Sequence, residues 1–136
     1  MRTTGEPDNW EDAEAVKARL RQQVADAHQR ASRAQEMRAE IDAVRGRGKS
    51  PRGEVIATSD AAGSLMDLKL TDEALEFSPH TLSQMIIAAA AQARREAGAK
   101  AVRITADAFG EDSSAVAMMQ DEIDRRESAR DTGLQY

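Results

Sequence analysis

The 136-residue chain contains no cysteine, one tryptophan, one tyrosine, and only two phenylalanines and three prolines. The missing thiols remove disulfides, thiolate metal ligation and thiol nucleophiles, and are in keeping with a cytosolic chain. So few aromatic rings leave little to stack on single-stranded bases. Long apolar runs are absent too. None approaches membrane-spanning length, and Met1 to Trp10 lacks the apolar stretch of a signal peptide, which points to a soluble, intracellular protein without a membrane partner. Large apolar side chains are scarce. Apolar residues make up 40% of the chain, yet 26 of its 136 residues are Ala, which favours helix while burying little area. A core that thin makes self-association the simplest route to stability.

What the chain does have is charge, unevenly spread. The net charge is −5. Residues 1–16 hold one basic and five acidic side chains, residues 17–52 hold ten and four, and residues 53–136 hold eight and fifteen. The middle segment is a basic block inside an acidic protein.

Residues 1–9, punctuated by Gly5, Pro7 and Asn9, read as a disordered leader. A helix is expected from Asp8 or Asn9, with Glu11, Asp12 and Glu14 placed to favour its dipole. Val16, Leu20, Val24, Ala27, Ala31, Ala34, Met37, Ile41 and Val44 follow at steps of three and four, which predicts a long amphipathic helix. Its small middle seam, Ala27, Ala31 and Ala34, would let another helix approach closely. Three Gly and a Pro between Arg45 and Gly53 end that helix. This segment is read either as a short irregular strand or as a mobile link. Gly53 to Asp60 reads as a strand, Asp60 to Gly63 as a turn closed by a left-handed Gly, and Ser64 to Thr71 as a second strand. In that second strand Met66, Leu68 and Leu70 alternate with Asp67, Lys69 and Thr71, the period of a sheet with one buried face.

Leu75 and Phe77 of the following connector are expected to dock on the sheet. Ser78 with Pro79 predicts a helix start, and apolar spacing from Leu82 to Ala108 carries one long helix to about Phe109. Gly98 marks a candidate bend or break. Gly110 ends it, Ser113 or Ser114 caps a last helix over Val116, Met119 and Ile123, and the polar end beyond Ile123 reads as frayed. The expected fold class is α+β: a long N-terminal helix, a small antiparallel sheet of two to three strands, a long second helix and a short C-terminal one. Its parts are a leader at 1–9, a domain at 10–109, and a helix with a polar tail at 110–136.

Catalytic and metal chemistry find no footing. Gly48-Lys49-Ser50 imitates a phosphate loop, but position 43 is Ala rather than Gly, no buried strand precedes it, and Pro51 blocks the helix that would hold the phosphate. His28 and His80 lack partners at zinc-ligand spacing and read as surface residues. Asp121, Glu122, Asp124 and Glu127 lack a calcium-loop pattern and fit a solvated helix face. The expectation is a non-enzyme with no catalytic residue, metal or cofactor. The basic block is the one functional candidate. Arg30, Arg33, Arg38, Arg45, Arg47, Lys49 and Arg52 are the residues that would reach phosphates, giving affinity with little base discrimination. The competing reading is a solvated helix face, with Glu36, Glu40 and Asp42 as intrahelical partners.

A long Arg/Gln/Ala-rich helix leads to a Gly-containing basic segment, then Gly53-Glu-Val-Ile-Ala-Thr, Gly63-Ser-Leu-Met-Asp-Leu-Lys-Leu and Pro79-His-Thr-Leu-Ser-Gln-Met-Ile-Ile. This order, over roughly residues 16–98, resembles the YbaB/EbfC family of bacterial nucleoid-associated DNA-binding proteins. The resemblance implies an α-β-β-β-α protomer, a homodimer that builds a larger shared sheet, and helices that grip double-stranded DNA in the cytoplasm at the nucleoid. It raises DNA binding above the solvated-face reading. The acidic first sixteen residues and the stretch after Gly98 fall outside the pattern. Similar proteins also serve as accessories of specialised secretion systems, so a protein-interaction module with another protein as partner, and without DNA binding, is the alternative.

Overall fold

The computed structural model describes residues 5–133, with side chains from Trp10 to Arg130. The chain divides into two compact units, Met1–Glu36 and Met37–Tyr136. Helix α1 spans Gly5–Asp42, and its residues through Glu36 make up the first unit. The helix thus takes in Gly5 to Asn9, which the sequence assigns to a disordered leader; Met1 to Thr4 lie outside the described residues. Pro7 is no obstacle, because it falls in the first turn, where its missing N–H has no intrahelical partner to lose. The apolar seam of this unit is uncovered: Val16 is 46%, Leu20 54% and Val24 56% exposed.

The second unit is built on a three-stranded antiparallel sheet of order β1-β2-β3. Strand β1 is Gly46–Lys49, β2 Val55–Ser59 and β3 Leu65–Leu70, so the Arg45 to Gly53 segment does supply a strand. Gly46 pairs with Ser59 and Gly48 with Ala57; Val55 pairs with Leu70 and Ala57 with Leu68. Partners opposite one another share a face. One face therefore carries Gly46, Gly48, Val55, Ala57, Ser59, Leu68 and Leu70, and the other carries Arg47, Lys49, Ile56, Thr58, Asp67 and Lys69. A register shift at Thr58/Ser59 puts Leu65, not Met66, opposite Ser59. Met66 thus leaves the inward row that strict alternation assigns it, because a bulge adds one residue to one strand. The hairpin turn is as the sequence predicts: Gly63 takes φ +88, its N–H donates to the Asp60 carbonyl at 3.1 Å, and the Ser64 N–H donates to Asp60 Oδ1 at 2.8 Å.

Helix α2, Pro79–Phe109, backs the first face over β1 and β2. Ser78 caps it, accepting from the Thr81 N–H at 3.2 Å, and Pro79 stands in its first turn. Contact with β1 is backbone on backbone. A Cβ added to Gly46 would overlap the Ala93 carbonyl oxygen and the Ala97 nitrogen, and one added to Gly48 would overlap the Ala89 carbonyl oxygen. The alanine row Ala89, Ala93, Ala97 and Ala101 is buried here. Alanine is used because anything larger would hold the strand away. The remaining core is small, centred on Val55, Ala57, Ala74 and Ala90 with Leu68, Leu82, Met85 and Ile86 packed around it.

Two expectations fail in the connector and the tail. Leu75 and Phe77 do not dock: they are 67% and 40% exposed, and Ala74 is the connector residue that is buried, inside a 3-10 turn over Asp72–Glu76. Residues 134–136 lie outside the described residues, but the polar end is helical as far as Gly133, since helix α3 runs Ser114–Gly133, with Ser113 Oγ accepting from the Val116 N–H. Its later arginines explain why: Arg126 donates to the Ala62 carbonyl at 3.0 Å and Arg130 to the Gly63 carbonyl at 3.3 Å, tying the helix to the β2–β3 turn. Gly98 does not break α2, which runs on to Phe109. It is buried where α3 crosses, with Ile123 Cδ1 3.3 Å from where a Cβ would stand. Gly110 then ends α2 at φ +92.

Candidate nucleic-acid interface

The cations of the basic block divide between the two units. Arg30 and Arg33 belong to the first, three residues apart on α1 and exposed, which places them on neighbouring azimuths. The other five belong to the second: Arg38 on the final turns of α1, Arg45 on the link to β1, Arg47 and Lys49 on β1, and Arg52 in the β1–β2 turn. All five are exposed.

Strand β1 is where local sequence decides the geometry. From Val44 to Ser50 buried and exposed residues alternate without exception. Gly46 and Gly48 are pressed on α2, so Arg47 and Lys49 must point to the open face. The strand is held in place by the Lys49 N–H donating to Gln92 Oε1 at 3.0 Å. Across the sheet, Lys49 pairs with Ile56 and Ile56 with Lys69, so Lys69 lies on the same open face, two strands or about 10 Å away. Lys69 was not among the seven candidates. Its outward position was readable from the alternation of Leu68, Lys69 and Leu70, but its company was not, because cross-strand neighbours depend on register.

Arg52 is set by the turn. The Gly53 N–H donates to the Ser50 carbonyl at 2.9 Å, Gly53 takes φ +77, and Ser50 Oγ accepts from the Val55 N–H at 3.0 Å. Arg45 has a structural role as well: its guanidinium donates to the Asp42 carbonyl at 3.0 Å and the Val44 carbonyl at 2.7 Å, closing the end of α1. Its own carbonyl accepts from Lys100 Nζ at 2.8 Å, and Lys100 in turn lies 3.1 Å from the Glu96 carboxylate. That carboxyl is held below its ordinary range, chiefly by the Lys100 hydrogen bond, with the Arg47 backbone N–H and the nearby positive charges adding to it against partial desolvation.

The ion pairs among the described residues are Lys17–Glu14, Lys100–Glu96, Arg125–Glu122 and Arg126–Glu122. None involves any of the seven cations, nor do Glu36, Glu40 and Asp42 serve as the intrahelical partners considered for them. A large groove of about 720 Å³ in the second unit is a poor alternative for phosphate. It is rimmed by Asp42, Asp60, Asp121 and Glu122 against Arg125 and Arg126. Among the described residues no group of three or more His, Asp or Glu side chains could hold a metal ion, and no helix is long and apolar enough to cross a membrane.

A three-stranded antiparallel sheet backed by one long helix, with cations on its open side, defines a small α+β module with a basic face. Residues 17–112 match the model of the YbaB/EbfC DNA-binding family, and the chain belongs to that family. It is a family of nucleoid-associated DNA-binding proteins, not known as enzymes. No curated protein matches the chain.

Proposed function

We propose that this protein binds double-stranded DNA as a homodimer with low sequence specificity, acting at the nucleoid in the cytoplasm and carrying out no catalysis. Arg30, Arg33, Arg38, Arg45, Arg47, Lys49 and Arg52 contact phosphates, with Lys69 extending the basic face. The observation that carries the reading is that β1 turns Arg47 and Lys49 outward on the face that also carries Lys69, with neither in an ion pair among the described residues, in a chain whose family binds DNA. Cations spent on close internal ion pairs would have little left for a polyanion; among the described residues Arg47 and Lys49 make none. Contacts of this kind are to the backbone of DNA and release counterions, which gives affinity without base reading.

The homodimer is supported by apolar surface that α2 does not cover. Leu65, Met66, Leu70, Leu75, Phe77 and Ile87 are all at least 40% exposed, and they come from β3, the connector and the start of α2. Strand β3 is a free edge, and an apolar edge of this kind invites pairing with another strand. A shared sheet across two copies would cover it.

A gel-shift titration over salt tests the DNA reading. The logarithm of the binding constant should fall linearly with the logarithm of salt concentration. Replacing Arg45, Arg47, Lys49 and Arg52 together by Ala should reduce that slope by roughly 3.6 per protomer, if each contacts one phosphate, and should do so for all sequences alike. An unchanged slope would remove these residues from the interface. The second reading, a protein-interaction module of the secretion-accessory kind, draws on the same exposed apolar residues. Purification with a stoichiometric protein partner, in an assembly insensitive to nuclease, would favour it.

A further inference from the structure

The exposed seam of α1 carries a charge pattern complementary to itself. Val16, Leu20 and Val24 form an apolar stripe that nothing in the first unit covers. Asp12 and Arg30 are about five full turns apart at 3.6 residues per turn, so they share one azimuth on the same flank of that stripe. Lys17, which lies 3.8 Å from the Glu14 carboxylate, and His28 border the opposite flank. Neither Asp12 nor Arg30 forms an ion pair among the described residues. Asp12 has no basic residue three or four positions away. Asp26, four residues before Arg30, instead accepts from Gln22 Nε2 at 3.0 Å.

We infer that α1 pairs with α1 of a second copy in antiparallel sense, about a two-fold axis near residue 22. In that register Leu20 lies against the partner's Val24, Val16 against the partner's Ala27, and Ala13 against the partner's Ala31. Same-flank residues meet in an antiparallel pair, so Asp12 of each copy falls beside the partner's Arg30, twice by symmetry. A parallel pair would set acidic turns beside acidic turns and arginines beside arginines. The charge pattern therefore selects both the occupant and its direction. The acidic turns that complete it precede residue 17, outside the stretch matched to the family. The pair is accordingly an addition by this chain to the DNA-binding module.

The absence of cysteine makes a direct test simple. Ala13→Cys protein and Ala31→Cys protein, each otherwise full length, are mixed without nucleic acid and oxidised. The two positions lie about 27 Å apart along one helix, so a cross-link between them requires antiparallel neighbours. The mixed disulfide should dominate over either homotypic one. Homotypic products alone, or no cross-link, would overturn the proposal. Charge reversal checks the register: Asp12→Arg should weaken association roughly fivefold, as should Arg30→Asp, through the loss of two exposed ion pairs. The protein carrying both changes should recover. Failure of the double variant to recover, with helix content intact by circular dichroism, would refute the reciprocal contact. The experiment contains no DNA, so its failure leaves the DNA-binding proposal standing, whereas its success moves Arg30 from the phosphate contacts to this pair.

Discussion

Replacing Gly48 by Ala should be among the most damaging single-methyl changes available to this protein. The new Cβ would overlap the Ala89 carbonyl oxygen and lie 2.7 Å from the Ala93 nitrogen and 2.9 Å from Gln92 Cβ. Two of these three obstacles are helix backbone, which no rotamer change can move. Relief requires β1 to lift away from α2, and that movement lengthens the Lys49 N–H to Gln92 bond, now 3.0 Å, and opens the contact over Ala89 and Ala93. Overpacking costs about 1–3 kcal/mol, more where backbone must move, and the lost hydrogen bond adds about 1 kcal/mol. The expected loss is about 3–4 kcal/mol, a large share of a typical stability of about 5–15 kcal/mol. Gly53→Ala is the control: nothing lies within 4 Å of its Cβ, so only the strain of φ +77 remains, about 1–2 kcal/mol. Urea unfolding followed by circular dichroism, at one fixed protein concentration because an oligomer's stability depends on it, should place the Gly48→Ala midpoint lowest by a clear margin. If Gly48→Ala unfolds no earlier than Gly53→Ala, the close strand–helix contact is not what holds β1.

Ser78→Ala removes the side chain that accepts from the Thr81 N–H and should cost about 1 kcal/mol in the same assay. At Gly98, Ala gains up to about 1 kcal/mol of helix propensity and meets only the flexible tip of Ile123, so Gly98→Ala should be neutral or stabilising. Gly98→Leu should instead displace α3 and speed its proteolysis. The Glu96 carboxyl is held low by Lys100, so its contribution is present above the ordinary carboxylate value of 4.5 and is lost as pH falls through the depressed one. Glu96→Gln should therefore be less stable than the parent near neutrality, by under about 1 kcal/mol because the pair is solvated, and the two should converge in acid.

Features set by near neighbours in the chain were legible in the sequence. The Ser78-Pro79 start, the Asp60 to Gly63 turn and the Gly110 stop each follow from backbone restrictions of one or two residues, and all three stand. Features that depend on what packs opposite were not. Phe77 looks like a residue that must be buried, yet α2 covers β1 and β2 and leaves it exposed. The end of α3 looks too polar to order, but its arginines find carbonyls on a turn more than sixty residues away. The same division runs through the candidate interface. The alternation of Gly46, Arg47, Gly48 and Lys49 is visible as letters, whereas the reason for it, a helix backbone lying against both glycines, requires the fold.

The bare contact between β1 and α2 separates two jobs along one strand. Inward positions admit no side chain at all, so steric exclusion alone dictates them. Outward positions bear no part of that constraint and are free to take any chemistry. Evolution could recolour this surface, from cationic to neutral or even acidic, one letter at a time without disturbing the scaffold beneath. Members of such a lineage would keep their glycines and trade their ligands.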